Sequence, residues 1–282
     1  MATIKESVRT FLDAADRTAM VEVARAKGST PREAGAYMLV SRKTIYGTIG
    51  GGQLEFMAID QAREMLADAK GPAELLLDIP LGPEIGQCCG GRVEVLIRAV
   101  DDGLKAELLR NAEAEDERLP HIYIFGGGHV GQALASALSL LPVRVTVVET
   151  RAEALEGMPA VISTKLTSVP EEVARSAPAG SAFVILTHDH ALDFLIVAEA
   201  LKRNDAAYVG MIGSKTKKAT FRNWFLKSAE GGEADFSRLV SPIGGDAVKD
   251  KRPAVIAALA AAEIMTALAT HSKETSDRAL AG

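Results

Sequence analysis

The segment GGGHVG, residues 126–131, is the feature that most restricts how this chain can fold. It follows the strand-like run HIYIF, precedes a helix-like run, and matches the pattern G-x-G-x-x-G. Gly126 permits a tight turn, Gly128 lets the backbone approach a phosphate at the helix N-terminus, and Gly131 allows close helix–strand packing. Because strands and helices alternate along residues 120–282, this region is predicted to be a Rossmann-like, doubly wound parallel sheet.

Acidic and imidazole side chains are predicted to surround the same loop. Glu149 ends the next strand-like run about 20 residues later, where an acidic group binds ribose hydroxyls. The fourth strand-like run ends in THDH, residues 187–190, and its carboxyl end is expected beside that of the first strand. Three of the five histidines, His129, His188 and His190, therefore meet at one crevice, where they suit anion contact, proton transfer or metal ligation. The alternative is ordinary loop polarity, with His188 capping the next helix.

The crevice and the fifth strand each leave two interpretations open. The crevice either binds a nucleotide or NAD(P), or keeps the fold without a ligand. The fifth strand leads into GSKTKKA, where Ser214 is a natural N-cap. Lys215, Lys217 and Lys218 crowd the first helical turn, where the helix dipole disfavours cations. Either a bound anion offsets that cost or the lysines form a solvated basic face.

The first hundred residues are predicted to form a small α+β unit with its own glycine loop. In TIGGGQLEF, Gly50, Gly51 and Gly52 stand at a helix start, where exposed backbone N–H groups suit an anionic ligand. Glu55 in the first turn either complements the helix dipole or accepts hydrogen bonds from a heterocycle. The loop GSTPR offers Arg32 as an anion clamp.

The segment GQCCGG holds both cysteines of the chain, Cys88 and Cys89, flanked by Gln87, Gly90 and Gly91. Adjacent Cα atoms lie about 3.8 Å apart, whereas ordinary disulfides need roughly 4.4–6.8 Å, so a bridge between neighbours is strained. Two thiols also fall short of a four-cysteine zinc site. The pair is therefore either two small buried apolar side chains or functional thiols.

Length and charge limit the class of protein. At 282 residues two domains are expected, with boundaries at 1–100 and 120–282 and an acidic helical linker at 101–119. A net charge of -5 argues against a nucleic-acid partner. The N-terminus lacks the apolar core of a signal peptide, and the apolar stretch 253–269 is interpreted as a buried helix too short to span a bilayer. A cytoplasmic protein is expected.

Six motifs in order resemble those of the xanthine dehydrogenase accessory protein family, XdhC/CoxI. They span roughly residues 28–219, touch both predicted domains, and read GSTPREAGAYMLV, GTIGGGQLE, LGPEIGQCCGGRVEVL, IFGGGHVGQALA, LTHDHALD and YVGMIGSKTKKA. The form LGPxxGQCCGG is similar to that of the members that serve xanthine dehydrogenase. The region before the last helix departs from the family pattern. In SPIGGDAVKDKRPAVIA no acidic pair follows the second proline, Pro253.

The resemblance implies a chaperone for the molybdenum cofactor, not an oxidoreductase. Such proteins bind molybdopterin while a cysteine desulfurase helps to install the terminal sulfido ligand, and then deliver it to a xanthine dehydrogenase-type apoenzyme. A homo-oligomer is expected for such a carrier. The family motifs fall on the following positions: Gly50, Gly51, Gly52, Glu55, Gln87, Cys88, Cys89, Gly90, Gly91, Gly126, Gly128, His129, Gly131, Thr187, His188, Asp189, His190 and Asp193.

Two hypotheses therefore stand. In the first, the protein is a molybdopterin carrier that requires both domains and the cysteines, and its Rossmann crevice holds a nucleotide, part of the cofactor, or nothing. One of the two cysteines faces the cofactor, because neighbouring side chains of extended backbone point to opposite sides. Glu149, Ser214 and Lys215 complete the residues expected to touch a bound cofactor. In the second, the Rossmann-like domain makes the chain an NAD(P)-dependent oxidoreductase, although no catalytic constellation for hydride transfer stands out.

Overall fold

A computed structural model describes residues 3–68, 71–82 and 90–281. The chain divides into two compact units, Ala2–Arg118 and Leu119–Gly282. The predictions made for Gln87, Cys88 and Cys89 lie outside the described residues.

The first unit is built on one antiparallel sheet of five strands in the order β3-β2-β1-β5-β4. In chain order its elements are α1 (Ile4–Asp13), β1 (Thr18–Lys27), β2 (Tyr37–Ser41), β3 (Ile45–Gly47), α2 (Gly52–Ala67), β4 (Glu74–Pro80), β5 (Arg92–Ala99) and α3 (Asp102–Arg118).

Strand alternation sends successive apolar side chains to opposite faces of this sheet. Val21 and Val40 pack on one face in the same cluster as Leu54 of α2. Their neighbours Met20 and Leu39 pack on the other face, with α1 and α3. The unit is therefore a three-layer sandwich of helix, sheet and helices.

Helix α3 is the segment expected as an acidic linker, and it belongs to the first unit. Leu104, Leu108 and Ala112 recur at helical spacing and are buried against α1. The buried carboxylate of Asp116 accepts hydrogen bonds from the backbone N–H groups of Ile4 and Lys5, both at 3.0 Å. It thus stabilises the N-terminus of α1, a role that the acid-rich composition did not reveal.

The second unit is a parallel sheet of six strands in the order β11-β10-β9-β6-β7-β8. Its elements are β6 (His121–Phe125), α4 (His129–Leu138), β7 (Arg144–Glu149), a 3₁₀ turn (Ala152–Leu155), β8 (Ser163–Leu166), α5 (Pro170–Ser176), β9 (Ala182–Ile185), α6 (His190–Lys202), β10 (Tyr208–Met211), α7 (Lys215–Ser228), α8 (Glu233–Ser237), β11 (Leu239–Val240) and α9 (Pro253–Ala281). Numbered within the unit, the order is 6-5-4-1-2-3, the Rossmann arrangement, so the predicted fold class is confirmed.

Apolar side chains cover both faces of the second sheet. Helices α4 and α9 pack on one face, and α5, α6 and α7 on the other. This burial on both sides explains why β9, and β6 after its first residue His121, are continuous apolar runs.

Two strands of this unit differ from the sequence prediction. The weak third strand was expected at residues 160–163, but β8 begins at Ser163 and continues to Leu166. Its four side chains are exposed at the sheet edge, so it lacks the apolar run that marks a buried strand. The two-residue strand β11 was not predicted, because so short a segment carries no periodic signal.

Helix α9 is longer than the apolar stretch considered from the sequence. Ala257, Ala260 and Ile264 on one side join the core of the second unit. By length and composition alone, Pro253–Thr275 is long and apolar enough to cross a membrane, and 28% of its most apolar window is buried. Core helices of folded proteins pass the same test, so this is weak evidence for a membrane span.

Candidate functional site

The glycine-bearing loops of the first unit leave one end of its sheet. Lys27 at the end of β1 pairs with Arg92 at the start of β5, and Gly47 at the end of β3 pairs with Met38 of β2. The loop after β1, the loop after β3 and the chain entering β5 therefore lie at the same sheet end, so the topology brings together GSTPR, TIGGGQ and the last two glycines of GQCCGG.

These loops also touch one another. A Cβ atom added to Gly50 would lie 2.6 Å from Cβ of Pro31, and one added to Gly91 would lie 2.3 Å from the carbonyl oxygen of Ser29. Both positions thus require glycine because neighbouring chain occupies the space of a side chain.

Glu55 braces the glycine loop from the first turn of α2. Its Oε2 accepts hydrogen bonds from the backbone N–H groups of Ile49 at 3.1 Å and Gly51 at 3.0 Å, and from the Thr48 hydroxyl at 2.5 Å. The Thr48 hydroxyl oxygen in turn accepts from the Gly50 N–H at 3.0 Å. The N–H groups of Gly50 and Gly51 are therefore bonded within the protein, and a contact of Glu55 with a heterocycle stays a prediction.

The same sheet end also presents open backbone and a cation. Around Gly51 and Gly90 an added Cβ atom would meet no atom of the described residues within 4 Å. Arg32 is exposed and lies beside Gly50, whose added Cβ would be 3.3 Å from Cγ of Arg32. Within the described part of the chain the Arg32 guanidinium has no hydrogen-bond or ion-pair partner, which leaves it free to contact an anion.

In the second unit the carboxyl ends of β6 and β9 border a cavity of about 270 Å³. It is lined by Gly126, Gly128, His129, Val130, Gly131, Glu149, Arg151, Leu186, Thr187, His188 and Ile212. The crevice thus lies where the Rossmann topology predicts it and brings His129 and His188 together. Asp189 and His190 are not among its lining residues.

Asp189, rather than His188, caps the helix that follows the fourth strand. The Asp189 carboxylate accepts hydrogen bonds from the backbone N–H groups of Ala191 at 2.7 Å and Leu192 at 3.4 Å. Helix α6 then begins at His190, whose side chain is exposed. The sequence alternative of a His188 cap is therefore wrong, since the neighbouring carboxylate takes that position.

Of the three motif glycines at the crevice, close packing requires two and leaves space for a side chain at the other. At Gly126 an added Cβ atom would lie 2.4 Å from the carbonyl oxygen of Leu186. At Gly131 it would lie 2.0 Å from the carbonyl oxygen of Gly126. Gly128, the N-cap of α4, has φ of -69°, and an added Cβ atom there would meet nothing within 4 Å. The fold therefore requires the first and third glycines but not the second, whose bare backbone faces the cavity.

Glu149 accepts hydrogen bonds from backbone N–H groups of the GGGHVG loop and the chain after β7, as Glu55 does from the TIGGGQ loop. Its carboxylate is 4% exposed and accepts hydrogen bonds from the backbone N–H groups of Gly127 at 3.0 Å, Thr150 at 2.8 Å and Arg151 at 3.2 Å. Burial alone would raise the pKa of Glu149, but these hydrogen bonds and the Arg151 charge outweigh it and hold that pKa below its usual value. A ribose diol would have to share a carboxylate that already has three backbone donors.

A buried ion pair orders the THDH loop. Asp193 is fully buried, and its Oδ1 accepts hydrogen bonds from the Thr187 backbone N–H at 2.9 Å and hydroxyl at 2.7 Å. Its Oδ2 pairs with the Lys217 ammonium group, whose side chain is 9% exposed. Lys217 thus has a partner inside the protein, where the sequence left a bound anion and a solvated face as alternatives.

The other predicted residues of GSKTKKA also have partners in the fold. Ser214 caps α7 by accepting a hydrogen bond from the Lys217 N–H at 3.3 Å, and the Lys218 ammonium donates to the Leu239 carbonyl oxygen at 3.1 Å. Lys215 is 91% exposed and lies 3.9 Å from Asp246. Of the three lysines, Lys215 alone projects into solvent, and its role in ligand binding stays a prediction.

Arg151 lines the crevice and was missed by the sequence analysis. It stands two residues after Glu149, and arginines near this position of Rossmann domains accommodate phosphate groups, so the signal was present.

Among the side chains that the structure describes, no group of three or more His, Cys, Asp or Glu residues is arranged to hold a metal ion.

The fold defines a two-domain α/β protein with a C-terminal Rossmann domain. Residues 122–264, just over half of the chain, match the family model described as the XdhC Rossmann domain, and residues 11–78 match the XdhC and CoxI family. The chain therefore belongs to the XdhC/CoxI family, and the resemblance stated from its motifs is confirmed.

The chain is also similar to a curated protein and to a solved structure. The chain is 26% identical over 257 residues to the uncharacterized protein YqeB of Escherichia coli strain K12, covering 88% of this chain and 43% of that protein. It thus spans less than half the length of that relative. A crystal structure described as a xanthine dehydrogenase from Bacillus halodurans shares the fold with a TM-score of 0.78 and 18% identity, over 95% of this chain and 96% of that one.

Proposed function

We propose that this protein is an accessory factor that binds the molybdenum cofactor and delivers it to a xanthine dehydrogenase-type apoenzyme. Membership of the XdhC/CoxI family supports the accessory role. Holding molybdopterin during sulfuration by a cysteine desulfurase, and self-association of the carrier, are parts of the same proposal. The protein acts on the cofactor as cargo and is not itself the oxidoreductase.

The observation that carries the proposal is the end of the first sheet where the glycine loops meet beside Arg32. Molybdopterin is planar, carries a phosphate and is rich in hydrogen-bonding groups. Open backbone at Gly51 and Gly90 leaves room for a planar ring, and the Arg32 guanidinium, which has no partner among the described residues, suits a phosphate. The residues present therefore fit the group in charge and in space.

The thiols of Cys88 and Cys89 enter the proposal through their place in the sequence, directly before Gly90. Gly91 packs against the loop that precedes Arg32. Thiolates are soft donors suited to a metal–sulfur centre. A thiol contact with the cofactor remains a prediction for these two residues.

The Rossmann crevice supports a second candidate function, an NAD(P)-dependent oxidoreductase. It has the topology and the glycine motif of dinucleotide sites. The carboxylate of Glu149, which would accept the ribose hydroxyls of NAD(H), is already bonded to three backbone N–H groups. This makes the hydride-transfer function the weaker of the two.

Arg32→Gln is expected to weaken molybdopterin binding about tenfold to a hundredfold, because a charge-assisted contact contributes roughly 1.5–3 kcal/mol. The matched control is Arg42→Gln, the same charge change in the β2–β3 turn at the opposite end of the sheet. The measurement is the amount of molybdopterin that each full-length variant retains after gel filtration. Equal loss in both variants, or loss in neither, would remove Arg32 from the site.

A further inference from the structure

Arg151 is a charged side chain on the crevice with one buried hydrogen-bond donor. It lines the cavity just beyond the carboxyl end of β7, and its side chain is 41% exposed. This donor, Nε, has no hydrogen-bond partner among the residues that the structure describes. Its closest charged neighbour is Glu149, with Nη2 and Oε2 3.6 Å apart, which is beyond hydrogen-bonding distance.

Such a guanidinium is costly to leave in this state. A guanidinium group offers five N–H donors, and a buried donor without an acceptor is unfavourable. Glu149 does not need these donors, because three backbone N–H groups already satisfy it. An acceptor from outside the protein would complete the hydrogen bonding of Arg151.

The rest of the crevice favours an anion in that place. His129, His188 and the N-terminus of α4 supply donors, and the open backbone of Gly128 allows close approach. Glu149 is the one carboxylate among the lining residues. A ligand whose diphosphate lies at the α4 N-terminus directs its ribose toward the end of the second strand, where Arg151 lies.

We infer that the crevice binds a phosphate monoester and that Arg151 is the charge partner of that phosphate. A phosphate monoester carries about -1.5 to -2 charges at pH 7, more than each phosphate of a diphosphate bridge, and its oxygens match the planar fork of arginine. Two sources fit this chemistry: a 2′-phosphorylated dinucleotide and molybdopterin itself. Because molybdopterin carries a single phosphate, the second source is an alternative to the Arg32 contact proposed above. The second source rests on the proposed function, whereas the assignment of a phosphate monoester does not.

The test measures binding of NADP⁺, NAD⁺ and molybdopterin to the full chain and to Arg151→Gln. NADP⁺ carries the monoester and NAD⁺ lacks it. We expect at least one of the two monoesters to bind about tenfold to a hundredfold more weakly to the variant, with NAD⁺ binding changed by less than about threefold. The arm that responds identifies the source of the phosphate.

Two further variants keep the result interpretable. Arg144→Gln makes the same charge change at the amino end of β7 and is expected to leave all three affinities unchanged. Arg151→Lys keeps the charge but lacks the planar, bidentate donors of a guanidinium group. It is expected to retain part of the preference for the phosphate monoester over NAD⁺, with an unfolding midpoint like that of the wild type. The inference is overturned if neither monoester depends on Arg151. If the wild type does not bind molybdopterin, the proposed function is contradicted, and the comparison of NADP⁺ with NAD⁺ alone decides the inference.

Discussion

Gly131→Ala is expected to destabilise the Rossmann unit by about 3 kcal/mol or to prevent it from folding. The added methyl group would lie 2.0 Å from the carbonyl oxygen of Gly126 and 3.1 Å from the Leu186 side chain. The closer of these atoms belongs to the backbone, so a rotamer change cannot relieve the contact. Chemical unfolding of the full chain, followed through the transition of this unit, measures the effect.

Gly128→Ala provides the matched control in the same motif. Its φ of -69° suits any residue, and no atom lies within 4 Å of the added methyl group. We expect its stability to stay within about 0.5 kcal/mol of the wild type, while binding of any ligand that approaches this backbone is weakened. Comparable destabilisation by both substitutions would show that the second glycine also serves the fold.

Asp193→Ala is expected to cost about 3–5 kcal/mol, since it leaves the Lys217 ammonium group buried without its partner. Asp193 is fully buried, and the Thr187 N–H and hydroxyl would lose their acceptor as well. Urea unfolding measures the change. Asp189→Ala, which removes only the cap of α6, is the control and is expected to cost about 1 kcal/mol.

A double variant separates the ion pair from general damage to the core. Replacing both partners, Asp193→Leu with Lys217→Met, removes the uncompensated charge, so we expect part of the lost stability to return. If Asp193→Ala stays within about 1 kcal/mol of the wild type, the pair does not organise the THDH loop.

The Rossmann sheet was predictable because two independent signals agree on it. Strand and helix periodicities alternate after residue 120, and the glycine motif falls between the first strand and helix. Strand β8 was predicted three residues too early, and β11 was not predicted, because an exposed edge strand and a two-residue strand carry no apolar pattern. Helix α3 was mistaken for a linker because its acidic surface obscured the buried leucines.

The candidate sites were predictable as loops but not as hydrogen-bond arrangements. The sequence indicated both glycine loops and both carboxylates, Glu55 and Glu149. That each carboxylate accepts N–H groups of its own loop depends on backbone geometry, which residue spacing does not contain. The partner of Lys217 was invisible for the same reason, because Asp193 lies 24 positions away in sequence.

The most direct test of the cofactor-carrier proposal is ligand binding by the purified full chain. Separate samples are mixed with molybdopterin and with NAD(H), passed through gel filtration, and assayed for the ligand that remains bound. We expect molybdopterin to be retained and NAD(H) to be lost. Tight retention of NAD(H) without molybdopterin would contradict the carrier function and favour the oxidoreductase.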